Sequence, residues 1–428
     1  MSVRRSATPA KQVPLALDLL LAAALGALQT LAYVHTEAWG LQCLCIAVLA
    51  WRAATASVGR AVALGWAFGT AWLLAGTWWL FISLHRYGGL PAWMAMLAIT
   101  ALSAFLSLYL GAALGAFAGW RSGRPWRDSA LFAALWLLAE LARGVIFTGF
   151  PWVASGYAFV DSPLAKLAPW VGVYGIGFVA AWLAAWTALA LAQPSQRWRG
   201  ALGSGLIFAA LALASPAPFT QASGTLSVAL VQGNIPQEEK FANEHQAAAL
   251  EWHVGALLAA QANLVIAPET AVPFLPQQMP ETFWPALKEH FSNGRTYALF
   301  GVPLGNDDAG YTNSAVGFGP GQPEYRYDKH HLVPFGELIP FGFKWFTQLM
   351  NIPLGDFNRG PLRALSFAVN GERVAPNICY EDLFGEDLAA RFNDPATAPT
   401  IFANLSNIGW FGNTIAIEQH LQISRLRT

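Results

Sequence analysis

The first half of the chain contains seven stretches in which apolar residues follow one another almost without interruption. They cover residues 13–34, 38–50, 61–84, 90–120, 129–147, 167–192 and 201–214. A membrane-spanning helix needs roughly 20 apolar residues, so the second and seventh stretches are short for this purpose. Backbone groups in lipid must pair within their own segment, and the alternation typical of membrane strands is absent, which predicts helices. We expect a membrane α-helical bundle of about seven transmembrane helices over residues 1–215.

Basic residues are distributed unevenly around these stretches. Ten of them precede the first stretch or lie in every second connection: Arg4, Arg5, Lys11, Arg52, Arg60, Arg121, Arg124, Arg127, Arg197 and Arg199. The alternate connections hold only Arg86, Arg143 and Lys166. Because basic loops stay in the cytoplasm, we expect a cytoplasmic amino terminus, and an odd number of spans then places the second half outside. No A-x-A-like cleavage site follows the first stretch, so it is predicted to be an uncleaved anchor.

The second half of the chain alternates short apolar runs with longer helical segments. Strands are predicted at residues 226–231, 264–267, 297–301, 312–318, 324–327, 374–378 and 401–405, and helices at 243–262 and 281–291. This order is typical of an α/β domain. We therefore expect a transmembrane domain over 1–215, a polar linker over 216–225 and an extracytoplasmic α/β domain over 226–428.

Charge agrees with this division of the chain. The whole chain is 55% hydrophobic with no formal net charge, but residues 1–215 carry a net charge of +8 and residues 216–428 one of −8. The two halves are thus suited to different solvents. We expect the lipid bilayer as a partner and no nucleic acid.

Cys379 is the strongest candidate for a reactive side chain. It is the only cysteine outside the apolar stretches, follows a predicted strand and precedes an acidic turn. Cys43 and Cys45 both lie in the second stretch, so a disulfide framework is excluded. An unpaired thiol in an oxidising compartment is more often reactive than structural, although an isolated cysteine beside apolar residues is usually part of a core.

Two other residues are candidates to assist a reaction of the Cys379 thiol. Glu269 follows the predicted strand 264–267, and Lys329 follows the strand 324–327. A carboxylate can accept the thiol proton during attack, and an ammonium favours the thiolate and the oxyanion that follows. The backbone N–H of Tyr380 is placed to share that oxyanion. Considered alone, Glu269 is as well explained as a cap of the following turn, and Lys329 as a solvated lysine.

Histidines leave a second kind of cysteine chemistry open. His330, His331 and His420 permit a Cys–His protease, but the Glu269 and Lys329 pair is better placed. No His/Cys spacing of the zinc type occurs, so we expect neither a metal nor a cofactor. Glu140 and Arg143, three residues apart on one apolar stretch, are predicted to pair, which leaves little support for a transport protein.

Several motifs resemble those of a known family. They are GFPW at 149–152, GY at 156–157, VQGNIP at 231–236, APET at 267–270, YDKHHLVPFGE at 327–337, CYE at 379–381, NLSN at 404–407, GWFG at 409–412 and QH at 419–420. The second half resembles the nitrilase, or carbon–nitrogen hydrolase, superfamily. Together with the preceding helices, nearly the whole chain resembles the apolipoprotein N-acyltransferase family within it.

This resemblance implies an αββα sandwich in the second half, with Glu269 as general base, Lys329 as oxyanion stabiliser and Cys379 as nucleophile. It also implies that Glu337 supports Lys329 and that Tyr380 and Glu381 shape the pocket. The implied reaction moves an acyl chain from a phospholipid, through a thioester, to the N-terminal amine of a diacylglyceryl-modified apolipoprotein. It implies the inner membrane of a bacterium as the location. A membrane-tethered amidase, which releases the acyl group to water, is the alternative within the same chemistry.

The resemblance has two departures. Ile408 follows Ser406-Asn407 where the family usually has an acidic residue, and family members continue beyond Thr428 with further strands and an eighth membrane helix. We therefore expect a sequence truncated at its carboxyl end, and an inactive truncated homologue is a further alternative. The aromatic segment 341–350, which contains Trp345 and Phe346, is predicted to be either a buried helix or a lid that admits an acyl chain and excludes water.

Overall fold

The structure, a computed structural model, describes residues 13–215, 219–222, 224–237, 243–339 and 356–427. The chain forms two compact units. The first contains residues up to Trp78 and the chain from Met96 to the end of the membrane helices, and the second contains Trp79–Ala95 together with the carboxyl-terminal half.

The helices of the first half coincide with the seven apolar stretches. They are α1 Leu15–Leu28, α2 Trp39–Thr55, α3 Val58–Gly76, the single turn α4 Leu80–Ile82, α5 Ala92–Trp120, α6 Pro125–Val145, α7 Ala168–Leu191 and α8 Arg197–Leu213. Six of them, counted with their adjoining helical turns, are long and apolar enough to cross a membrane. The 17-residue α8 is slightly shorter. The predicted helical membrane bundle is confirmed, and its count of seven is approximate.

Apolar side chains also cover the outside of this unit. Leu20 on α1 is 67% exposed, and Leu206 on α8 is 69% exposed. Two acidic side chains within the helices are instead buried and paired: Asp18 binds Arg52 and Arg60, and Glu140 lies 3.6 Å from Arg143. Apolar residues outside and paired charges inside are the arrangement that a lipid environment requires.

The second unit contains two β-sheets. The strands are β1 Val228–Leu230, β2 Leu264–Ile266, β3 Tyr297–Asn306, β4 Gly310–Phe318, β5 Tyr325–Asp328, β6 Phe367–Val369, β7 Glu372–Ile378 and β8 Ile401–Leu405. The first sheet has the order β1-β2-β3-β4-β5, and the second has the order β6-β7-β8. The β1-β2-β3 and β7-β8 pairs are parallel, and the other pairs are antiparallel. The other helices within the described residues are α9 Asn243–Ala259, α10 Phe283–Asn293, α11 Gly385–Ala389 and α12 Ala416–Arg427.

The alternating side chains of β3 show how the layers of this unit pack. Leu299 lies in a core cluster that joins the two sheets and includes Val374 of β7 and Leu405 of β8. Phe300, one residue further on, points to the other face, where its cluster includes Leu287 of α10. Successive strand residues point to opposite faces, so one strand contributes to both layers. The predicted α/β sandwich is confirmed.

The segment Trp79–Ala95, which follows α3 and ends in the first turn of α5, belongs to the second unit. The Trp79 ring lies 4.2 Å from that of Phe411, centroid to centroid. Its indole N–H donates to the side-chain oxygen of Gln419 on α12 at 3.0 Å. The loop is therefore an integral part of the α/β unit, which the hydrophobic pattern did not predict.

Candidate active site

Glu269 stands in a tight turn directly after β2. Thr270 adopts a left-handed backbone conformation with φ of 50°, and the turn packs against Gly301 of β3. A Cβ atom at Gly301 would lie 2.6 Å from the Glu269 Cα. Only a glycine permits this approach, so the neighbouring strand fixes where the Glu269 backbone lies.

Lys329 follows β5, and its ammonium group is buried between two carboxylates. Its Nζ lies 2.8 Å from Oε2 of Glu337 and 3.7 Å from Oε1 of Glu269, and only 1% of the side chain is exposed. Glu337 is held in turn by the backbone N–H of Val333 at 2.9 Å. The structure therefore brings together three of the charged residues that the sequence singled out, with one positive and two negative charges.

Asn313 joins the same cluster and was not singled out from the sequence. Its side-chain Nδ2 donates to Oε1 of Glu269 and to Oε1 of Glu337, both at 2.7 Å. The sequence signal was a run of three polar residues, Thr312 to Ser314, inside a predicted strand that is otherwise apolar. Polar residues in a predicted core strand indicate buried polar atoms, but they do not show which groups these atoms bind.

Cys379 begins a helical turn at the end of β7. Its backbone has φ of 51°, a left-handed conformation that is strained for a residue with a side chain. Its carbonyl oxygen accepts a hydrogen bond from Nδ2 of Asn404 at 3.2 Å and lies 3.3 Å from Nε2 of His420. These contacts hold the strained conformation in place. His420 thus meets the backbone oxygen of Cys379.

The charges of the cluster act on the Cys379 thiol. Burial raises the pKa of this thiol and the Glu269 carboxylate raises it further, while the Lys329 ammonium opposes them, with a result of about 12. Burial alone would lower the pKa of Lys329, but the carboxylates of Glu337 and Glu269 outweigh it and raise the pKa above its usual value. At neutral pH the resting site therefore holds a protonated thiol beside a lysine cation. A nucleophilic role for this thiol therefore requires a base that accepts its proton.

The Glu381 carboxylate is bound by hydrogen bonds from its neighbours in the fold. It accepts the Tyr327 hydroxyl at 2.8 Å and the backbone N–H groups of Ile378 and His330 at 2.7 and 2.8 Å. It thereby ties the strand that carries Cys379 to the segment after β5. Tyr380 is buried, and its ring lies 5.1 Å from that of Phe384. Trp345 and Phe346 lie outside the described residues.

The two histidines after Lys329 have partners of their own. His330 Nδ1 lies 2.7 Å from the carbonyl oxygen of Gly360, and His331 Nδ1 lies 3.0 Å from the Asp387 carboxylate. These contacts direct both imidazole rings to structural neighbours. The described geometry gives no support to a Cys–His pair of the protease kind.

Replacing Glu269 by glutamine is expected to have opposite effects on two reactions of Cys379. The negative charge that raises the thiol pKa disappears, so alkylation by iodoacetamide at pH 9 should become several-fold faster. If Glu269 is the base that the family resemblance implies, acyl transfer should become about 10²- to 10⁴-fold slower. Mass spectrometry of the alkylated peptide and a transfer assay measure the two rates. Glu324→Gln, at a more exposed carboxylate, serves as the control and should change neither; slower alkylation in Glu269→Gln would contradict the charge argument.

Two family models together match most of the chain. Residues 25–186 match the apolipoprotein N-acyltransferase N-terminal domain, and residues 227–428 match the carbon–nitrogen hydrolase family. With its two sheets and its charged cluster at the strand ends, the second unit is a carbon–nitrogen hydrolase domain, carried here by a membrane protein.

Comparison with curated relatives identifies the family to which the chain belongs within this class of protein. An apolipoprotein N-acyltransferase of Verminephrobacter eiseniae is 53% identical over 91% of this chain and 76% of its own length. Those of Ralstonia nicotianae and Bordetella bronchiseptica are 45% and 41% identical, each over 95% of this chain and over 79% and 83% of their own lengths. The chain belongs to the apolipoprotein N-acyltransferase family.

Proposed function

We propose that this acyltransferase moves an acyl chain from a phospholipid to Cys379 and from there to the N-terminal amine of a diacylglyceryl-modified apolipoprotein. The observation that carries the proposal is the buried cluster of Glu269, Lys329 and Glu337, whose charges act on the Cys379 thiol. A base, a cation and a nucleophile are the groups that acyl transfer through a thioester needs. The names of the relatives supply the acceptor class.

In the first step the Cys379 sulfur attacks the ester carbonyl of the phospholipid. As the C–S bond forms, the thiol proton passes to Glu269, and the Lys329 ammonium stabilises the negative oxygen together with the backbone N–H of Tyr380. Glu269 then gives its proton to the departing oxygen as the C–O bond breaks. A lysophospholipid leaves, and the acyl group stays on sulfur as a thioester.

In the second step the free amine of the apolipoprotein attacks the thioester. Glu269 accepts a proton from the amine, the C–N bond forms and the C–S bond breaks. The same proton returns to the sulfur, which restores the resting thiol. Glu337 stays bound to Lys329 at 2.8 Å throughout and keeps the ammonium charged and oriented. This cycle transfers the acyl group without a cofactor.

The proposed location is the bacterial inner membrane with residues 226–428 on the periplasmic side, joined by the linker 216–225 to a transmembrane domain over 1–215. This requires α8 to cross the bilayer as a seventh span. Its 17 residues extend about 25 Å at 1.5 Å per residue, and the apolar part that follows Arg199 is shorter than the roughly 20 residues of a typical span. Arg197 and Arg199 at its start match the basic side of the other connections, which supports that orientation.

A two-stage incubation tests the proposed reaction. The purified protein is mixed with a phospholipid carrying a labelled acyl chain, freed of excess lipid and then given a synthetic diacylated lipopeptide. We expect label on the protein after the first stage and on the lipopeptide amine after the second. A lipopeptide acetylated at its amine is the control and should stay unlabelled. Release of the label as free fatty acid at the same rate with either peptide would instead identify a hydrolase.

A further inference from the structure

Asn313 of β4 occupies the centre of the charged cluster. Its side chain, in a residue that is 6% exposed, donates through one nitrogen to both Glu269 and Glu337 at 2.7 Å. Its backbone carbonyl oxygen accepts the N–H of Lys329 at 2.8 Å. One residue therefore contacts all three charged members of the cluster, two through its side chain and one through its backbone.

We propose that Asn313 is a positioning residue that keeps Glu269 ionised and aimed as a base. An amide nitrogen carries two hydrogens, one for each carboxylate, and remains a donor at every pH of interest. Donation to a carboxylate favours its charged form. Without this donor two buried carboxylates would share a single lysine. This inference rests on the proposed function and adds a residue that sets the protonation state of its base.

The charge count explains why an amide suits this position. Glu269, Glu337 and Lys329 together carry one net negative charge. An aspartate at position 313 would have the same shape but add a third carboxylate, which either repels the other two or retains a proton among them. Both outcomes make Glu269 harder to deprotonate. The substitution Asn313→Asp therefore replaces a permanent hydrogen-bond donor by a group that titrates and leaves the volume of the cluster unchanged.

The test measures two pH-dependent rates in Asn313→Asp. In the pH profile of the rate of thioester formation, we expect the midpoint on the acidic side to rise by about one pH unit or more. We also expect alkylation of Cys379 at pH 9 to be about tenfold slower, since each added unit of thiol pKa removes nine tenths of the thiolate. Cys43→Ala and Cys45→Ala in the background leave Cys379 as the only thiol. Thr312→Val, an isosteric change at the adjacent buried residue, is the control and should move neither rate.

A merely structural role would lower the rate by the same factor at every pH and leave the midpoint unchanged, and that result overturns the inference. If Asn313→Asp does not fold, Asn313→Ser replaces it. Its hydroxyl donates only one hydrogen bond, so the midpoint should move in the same direction by a smaller amount, and no movement would again overturn the inference. Failure of the proposed function is a separate outcome: Cys379→Ala would then retain acyl transfer, whereas the alkylation rates still report on Asn313.

Discussion

Replacing Cys379 by serine is expected to abolish formation of the acyl-enzyme and to lower acyl transfer by about 10⁴-fold or more, as removal of a nucleophile does in other covalent enzymes. A serine hydroxyl is a far weaker acid than a thiol, and the proposed base, Glu269, would have to deprotonate it. The assay incubates the variant with a fluorescent phospholipid, quenches with acid and looks for label that is released by hydroxylamine.

The control for this experiment is the double variant Cys43→Ala/Cys45→Ala. Both of these thiols lie in α2, and the double variant should form the acyl adduct at the normal rate. Label on Cys379→Ser that is released by hydroxylamine at neutral pH, where an ester of serine is stable, would show that another residue carries the acyl chain as a thioester. Because serine is nearly isosteric with cysteine, unchanged thermal unfolding of the variant would separate lost chemistry from lost structure.

Replacing Lys329 by methionine is expected to damage both stability and catalysis. The change keeps the volume of the side chain but removes the cation that lies 2.8 Å from Glu337 and 3.7 Å from Glu269. Removing one partner of a buried ion pair lowers the free energy of unfolding by about 3 kcal/mol or more. The loss of oxyanion stabilisation should slow acyl transfer by about 10²- to 10³-fold. Thermal unfolding in detergent and the transfer assay measure the two effects.

The pH dependence of this stability difference has a defined sign. The pKa of Lys329 is higher in the folded protein than in the unfolded chain, so its stabilising contribution is complete below the unfolded pKa of about 10.4 and is lost as the pH rises above it. The difference between the wild type and Lys329→Met should therefore be constant from pH 7 to 9 and shrink towards pH 11. Lys288→Met is the matched control, because Lys288 lies 3.7 Å from Glu324 with 44% of its side chain exposed. It should cost about 1 kcal/mol or less.

Much of the fold was predictable because its signals are local. Runs of apolar residues determine the membrane helices, and the order of short strands and helices determines the α/β class. The expected places of Glu269 and Cys379 followed from the same rule, since each comes directly after a buried strand and strand ends of an α/β domain carry its sites. Their catalytic roles, which came from the family resemblance, remain predictions.

The supporting contacts were less predictable because they depend on strand register. Asn313 meets Glu269 across 44 residues of sequence, through the pairing of β3 with β4. A shift of that register by one residue would turn the Asn313 side chain to the opposite face of the sheet. The sequence shows the polar residue but not the face to which it points. For the same reason the role of Gly301 beside the Glu269 turn appears only once β2 and β3 are paired.

The loop Trp79–Ala95 has a consequence for how the protein is made. Trp79 and its partner Gln419 are 340 residues apart, so at roughly 5 to 20 residues per second the ribosome needs about 20 to 70 seconds to deliver the second after the first. During that interval Phe411 and Gln419, the late partners of Trp79, have not yet been made. The nascent α/β half must then find a docking element already held at the membrane. Insertion of the early helices and completion of the late domain are thereby steps of one assembly process.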